Sequence, residues 1–182
     1  MTFGVKHYIF DPYSMAATVT SSLADKGSLI QICVEADEPN SCDMEEVNKL
    51  QDQVDNTTPT GSTPLHFVAL GKNIQLAQWL IDNKATFVAN ESGETPFHWA
   101  CKVGFEPMVT LFLYYMPKRF RSRRDNNNKS AKKWAKDFDQ THIVTLLTQE
   151  RHKQLANSRK HIVHFFSKLT GSQSNVLIEN KS

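Results

Sequence analysis

One stretch of this chain repeats another. GSTPLHFVALGKNIQLAQWLI begins at Gly61, and GETPFHWACKVGFEPMVTLFL begins at Gly93. Their Thr-Pro pairs, Thr63-Pro64 and Thr95-Pro96, stand 32 residues apart. Each pair is followed by an apolar residue, a histidine, small or apolar residues, a glycine and a second apolar stretch. A weaker third copy, NKSAKKWAKDFDQTHIVTLL, starts at Asn128, with Ser130 in place of threonine and Ala131 in place of proline. The internal offset is constant: Thr63 to Ala77, Thr95 to Val109 and Ser130 to Val144 each span 14 residues. A period in the low thirties predicts a stacked array. One such unit cannot bury its own apolar face, and its neighbours must do so.

Each unit reads as a turn followed by two helices. Glycine two positions before threonine (Gly61, Gly93) suits a turn that needs positive φ. Asn128 holds that place in the third copy, and asparagine tolerates the left-handed region best among non-glycine residues. Threonine can cap a helix start, and proline in the first turn loses no hydrogen bond that the helix needs. The first helix is expected to bury Leu65, Val68 and Ala69, then Phe97, Ala100 and Cys101. The second carries Ile74, Ala77, Leu80 and Ile81 at helical spacing.

TPLH and TPFHWA, with the following glycine and the period, resemble ankyrin repeats over about residues 57–148. The resemblance implies an all-α, ankyrin-repeat solenoid of about four helix-turn-helix repeats, with short hairpin loops and an extra C-terminal helix. The expected organisation is an N-terminal extension (1–21), a degenerate N-capping repeat (22–56), a repeat at 57–89, and a repeat with a basic loop at 90–124. A degenerate C-terminal repeat (125–149), an amphipathic helix (150–170) and a flexible tail (171–182) follow. In the first unit Leu29, Ile32 and Cys33 share one helical face, as do Met44, Val47 and Leu50. Met116 to Ser130 is expected to protrude, because the second-to-third spacing is 35 rather than 32. Leu155, Ile162, Phe166 and Leu169 form the stripe of the last helix, which is expected to cap the stack.

Charge divides the chain. Residues 1–116 carry 6 Lys/Arg and 14 Asp/Glu, a net −8; residues 117–182 carry 15 and 5, a net +10. The acidic part repels nucleic acid and the basic part attracts anions; a chain so polarised can also associate with itself. The densest apolar run, Val109 to Met116, is too short to span a bilayer. The start lacks a basic segment followed by a sustained apolar one, so a cleaved secretory signal is not expected. Cys33, Cys42 and Cys101 are odd in number and form no CxxC. They read as reduced thiols of an intracellular, cytoplasmic protein.

Little in the sequence points to chemistry. His66 and His98 belong to the repeat motif, where the resemblance gives them a structural role tying the threonine to the backbone. Cys101 and His98, three residues apart, mimic a nucleophile–base pair, yet Cys101 occupies a small-residue packing position with no third orienting group. His152, His161 and His164 lack the carboxylate or cysteine that would complete a metal set. No catalytic residue, metal site or cofactor is therefore assigned.

The resemblance instead implies a non-enzymatic protein–protein interaction module that binds a partner protein through the concave groove between hairpin tips and first helices. The residues carried to that groove are Pro59, Thr60, Ser62 and Leu70; Glu91, Ser92, Glu94, Trp99, Lys102 and Val103; and Asn126, Asn127, Lys129 and Asp137. Phe67, Trp99 and Trp134 share one register, either sealing the stack or offering hot spots. A basic patch comprises Lys118, Arg119, Arg121, Arg123, Arg124, Lys132 and Lys133. It supports a second reading, a regulator of transcription or nucleic-acid function that uses the 118–133 region; specific DNA reading ranks lower, for want of a groove-reading motif. A monomer is expected. Small stand-alone chains of this family resemble host-directed effectors of intracellular bacteria, so delivery into a host cell and nuclear entry are further expectations.

Overall fold

The structure, a computed structural model, describes residues 27–36, 38 and 42–151. The expected N-terminal extension, nearly all of the amphipathic C-terminal helix with its stripe, and the tail lie outside the described residues.

Helices follow one another in pairs: α1 (Leu29–Glu35) and α2 (Met44–Asn48), α3 (Pro64–Val68) and α4 (Ile74–Asp82), α5 (Pro96–Val103) and α6 (Glu106–Tyr115). A 3₁₀ turn, Gln51–Gln53, follows α2. A short α7 (Lys118–Arg121) then leads to α8 (Ala131–Asp137). Residues 141–151 are helical as well. Among the described residues no strand forms; one isolated antiparallel bridge joins Arg124 to Ser130. This all-α succession of helix pairs is the content and order that the resemblance implied.

The pairs build two layers. First helices stack on one another, α1 on α3, α3 on α5 and α5 on α8, while α4 packs on α6 in the second layer. Small residues permit the close approach: Ala69, Ala100, Cys101, Ala131 and Ala135 are all fully or almost fully buried. Leu65, Val68, Leu76, Leu80, Phe97, Met108, Val109 and Phe112 fill the space between layers. Each large side chain so buried contributes about 1.5–3 kcal/mol, which a single pair could not collect alone. Ile74 and Ile81 are only half-buried. Ile74 instead lines a groove on the outer surface of the second layer.

Caps start the helices as their residue types dictate. Ser28, Asn73 and Ser130 each accept a hydrogen bond from the backbone three residues on, at Gln31, Leu76 and Lys133. Gly104 ends α5 in the left-handed conformation with φ 82°, and its N–H donates to Ala100.

The long link before the last pair does not protrude as one loop. Lys118–Arg121 closes a helical turn, and the Arg121 guanidinium donates to the Leu113 carbonyl of α6, folding the link back. The chain falls into two compact units, residues 1–143 and 144–182. In the second, residues 144–151 are helical, with the Thr148 hydroxyl donating to Val144 O at 2.6 Å.

Candidate partner-binding face

Before each first helix the chain makes the same turn. Thr58 N–H donates to Ser62 O at 2.9 Å, Asn90 N–H to Glu94 O at 2.9 Å and Asp125 N–H to Lys129 O at 2.9 Å. The fourth residue takes positive φ: Gly61 at 74°, Gly93 at 75° and Asn128 at 60°. The side chain of the first residue braces the turn from within. Thr58 Oγ1 accepts from Ser62 N, Asn90 Oδ1 from Ser92 and Glu94, and Asp125 Oδ1 from Asn127 and Lys129. These bracing positions were not singled out in the sequence. The signal was present: Thr58, Asn90 and Asp125 each stand five residues before the helix-capping Thr63, Thr95 and Ser130.

Neighbouring turns are stitched by backbone. Glu91 N–H donates to Thr60 O, and Asn126 N–H donates to Ser92 O, both at 3.0 Å. The row of tips is thereby a fixed edge. It exposes Pro59, Thr60, Glu91, Ser92, Asn126 and Asn127. Asn126 also donates its side-chain amide to Glu91 O at 2.8 Å.

The histidines hold each turn to its helix. Thr63 N–H donates to His66 Nδ1 at 3.0 Å, so Nδ1 is an acceptor and the proton sits on Nε2. That Nε2 contacts Glu94 O, in the next turn, at 3.1 Å. His66 thus links two repeats as a neutral ring, and burial pushes its pKa down to about 4 despite the favourable Glu94 carbonyl. His98 makes the same bond to Thr95 N–H at 3.1 Å. Its Nε2 is buried and has no hydrogen-bond partner among the described residues. Lys129 O holds the place in the third turn that Glu94 O holds in the second. Burial lowers the His98 pKa too, opposed by Asp125 and the carbonyls of Lys129 and Arg123.

Three expected groove residues are not presented to solvent. Ser62 is buried, its hydroxyl accepting from Asn90 Nδ2 at 3.2 Å, because the second turn lies over it. Trp99 is 5 % exposed: its indole N–H donates to Glu94, and its ring meets His66 and Phe67 edge-on at 5.2 and 5.6 Å. Phe67 is likewise buried. At these two places the aromatic register seals the stack.

Lys102 is 7 % exposed. Its ammonium lies 5.2 Å from the Trp134 ring centroid and 4.9 Å from that of Phe138, two rings stacked on each other at 5.7 Å. Burial lowers its pKa to about 8, with Glu94 pulling the other way.

Glu94 and Lys129 are partly exposed, as are Leu70 and Val103, while Asp137 is exposed. Lys129 bonds Asp137 at 3.0 Å and Lys133 bonds it at 2.7 Å, which lowers the pKa of that carboxyl. Glu94 and Lys102 occupy the positions that Lys129 and Asp137 hold one repeat later, so the two pairs have opposite polarity. Trp134 is half-buried and donates to Asp125 Oδ2 at 2.8 Å.

Within the basic patch Lys133 shares the Asp137 carboxylate with Lys129, and Arg121 is partly buried against α6. Lys118, Arg119, Arg123 and Arg124 remain exposed.

The thiols are poor nucleophiles. Cys101 and Cys33 are buried, and burial raises both pKa values. No helix among the described residues is long and apolar enough to cross a membrane.

A family model described as ankyrin repeats (3 copies) matches residues 26–123. The match is 98 of 182 residues and takes in the first three helix pairs.

Proposed function

The chain belongs to the ankyrin-repeat family, whose members are in general protein–protein interaction modules, and from that premise we propose that it binds a partner protein along the face formed by its turn tips and first helices. The observation that supports this is the row of tips. Three turns share one conformation and are joined by backbone hydrogen bonds, yet Pro59, Thr60, Glu91, Ser92 and Asn127 stand exposed on them. Apart from Thr60, whose hydroxyl lies 2.9 Å from that of Thr58, their side chains are not among those that brace the turns. A rigid edge with free side chains lowers the ordering cost of association.

Behind the tips, Leu70, Glu94, Val103, Lys129 and Asp137 supply the floor, apolar at one end and charged at the other. The buried Ser62, Trp99 and Lys102 support this floor from below and do not touch the partner. Specificity comes from the tips and affinity from Leu70 and Val103, with the Trp134–Phe138 stack as the aromatic anchor.

The test is affinity capture followed by mass spectrometry with three forms of the full chain. The wild type is compared with Glu91→Arg/Asn127→Arg on the tips and with Tyr114→Ser on the second-helix layer. The reading requires that a partner held by the wild type be lost from the tip variant and kept by the Tyr114 variant. Loss from the Tyr114 variant alone would move the binding face to the other layer and refute it.

A further inference from the structure

On the second-helix side α4 packs on α6, α2 and its 3₁₀ turn are tied to α4 and the chain after it by Trp79 Nε1 to Asn48 and Thr86 N to Asp55, and α7 is tied to α6 by Arg121 to Leu113 O. The α2 segment is acidic. Residues 43–55 hold Asp43, Glu45, Glu46, Asp52 and Asp55 against Lys49 alone, a net −4. The α7 segment is basic. Residues 117–124 hold Lys118, Arg119, Arg121, Arg123 and Arg124 and no carboxylate, a net +5. Glu45, Glu46, Asp52, Lys118, Arg119 and Arg123 are all exposed, and among the described residues none of them forms an ion pair.

The basic end is held in shape. Arg121 is tied to Leu113 O, Arg124 donates to Asn128 O at 2.8 Å, and the Arg119 and Arg123 guanidinium groups lie 5.0 and 5.9 Å from the Phe120 ring centroid.

Between α4 and α6 lies an open, mainly apolar groove of about 670 Å³. Ile74 and Gln78 line it from α4; Pro107, Leu111, Tyr114 and Tyr115 line it from α6, with Glu106 and Thr110 as its polar members there. Tyr114 is 79 % exposed and Tyr115 43 %. Tyrosines with an apolar body and a wet tip are the residues that protein interfaces favour.

We infer that two copies of this chain pair antiparallel across their second-helix layers, about a two-fold axis at the α4–α6 groove, so that the acidic 43–52 segment of each faces the basic 118–124 segment of the other. A row that is acidic at one end, apolar in the middle and basic at the other end complements itself only when inverted. The two-fold arrangement satisfies both charged contacts at once and closes. A parallel pair would set like charges together. A nucleic acid along the same row would match one end and be repelled by the other, leaving the tyrosine groove wet. The proposed pairing predicts a salt-sensitive dimer where the sequence reading expects a monomer.

Sedimentation velocity on the full chain tests this. The expected species at about 50 mM salt is a dimer whose dissociation constant rises at least about tenfold at about 500 mM, because the charged rim is screened. Arg119→Glu/Arg123→Glu and Glu45→Lys/Glu46→Lys are each expected to be monomeric with unchanged circular dichroism. Mixed together they are expected to form a heterodimer, since both contacts are then attractive again. A chain that is monomeric at low salt overturns the inference. So does a mass that grows with concentration beyond two copies, which would indicate open head-to-tail chains. Variants that fail to recover association on mixing overturn it as well.

Discussion

Acid should loosen this fold through His66. The ring is fully buried and neutral, accepting from Thr63 N–H on one nitrogen and reaching Glu94 O with the other. A proton added at Nδ1 would face an N–H that cannot accept it. Burial therefore lowers the folded-state pKa from 6.5 to about 4. A histidine with a depressed folded pKa contributes stability that is fully present above the unfolded value and is lost as pH falls. Between those two values the unfolded chain binds more protons, so stability drops as pH drops. At 1.36 kcal/mol per pKa unit the loss is about 2 kcal/mol by pH 5 and about 3 kcal/mol by pH 4. His98 adds to it in the same direction. Urea unfolding followed by circular dichroism at pH 7.5, 6, 5 and 4 measures the effect as a falling midpoint. His66→Asn keeps a polar group there but does not titrate near these values. It is expected to be less stable than the wild type at pH 7.5 and to show a flatter pH profile. Parallel profiles for wild type and variant would refute the assignment of the acid sensitivity to this ring.

Three further perturbations separate the parts of the structure. Gly61 and Gly93 share a φ near 75°, but a Cβ on Gly61 would meet Glu91 N at 3.5 Å, whereas one on Gly93 would sit 2.8 Å from Asn126 N. Gly61→Ala should cost about 1–2 kcal/mol, the ordinary strain of that conformation, and Gly93→Ala clearly more; equal costs by thermal unfolding would contradict the stitched edge. Asp125→Ala should cost about 2–3 kcal/mol, because it strips acceptors from Asn127, Lys129 and the Trp134 indole, and should shift the Trp134 indole resonance; Asp125→Asn should restore much of both. Lys102, with a folded pKa near 8 set by burial, should make the wild type gain stability as pH rises from about 8 towards the free-lysine value. The gain is on the order of 1 kcal/mol after screening, and Lys102→Met should lack it when unfolding midpoints at pH 7 and 10 are compared.

The helical order was legible because its signals are local. Thr63-Pro64 and Thr95-Pro96 announce two helix starts, and Ser130 caps the third in spite of the missing proline. Gly61, Gly93 and Asn128 take the positive φ that their place in the turn requires. Exposure was harder to read, since it depends on what the next repeat covers. Ser62 belongs to a tip in sequence, yet Asn90 of the following turn lies on it. Trp99 and Lys102 occupy groove positions by register, yet Glu94 and the Trp134–Phe138 stack enclose them. The helical turn inside the link from Met116 to Ser130 was not legible for a similar reason: Arg121 finds a carbonyl on α6 that spacing alone does not reveal. The opposed charges of α2 and α7 were visible only as a charge difference between halves, and that one is tied to α4 and the other to α6 is a fact of packing.

The bonds that join one tip to the next run from the N–H of Glu91 and Asn126 to the carbonyls of Thr60 and Ser92. Every residue but proline brings the same N–H and carbonyl. The edge can therefore be rewritten position by position, and a lineage could trade one binding specificity for another without first repairing the scaffold that displays it.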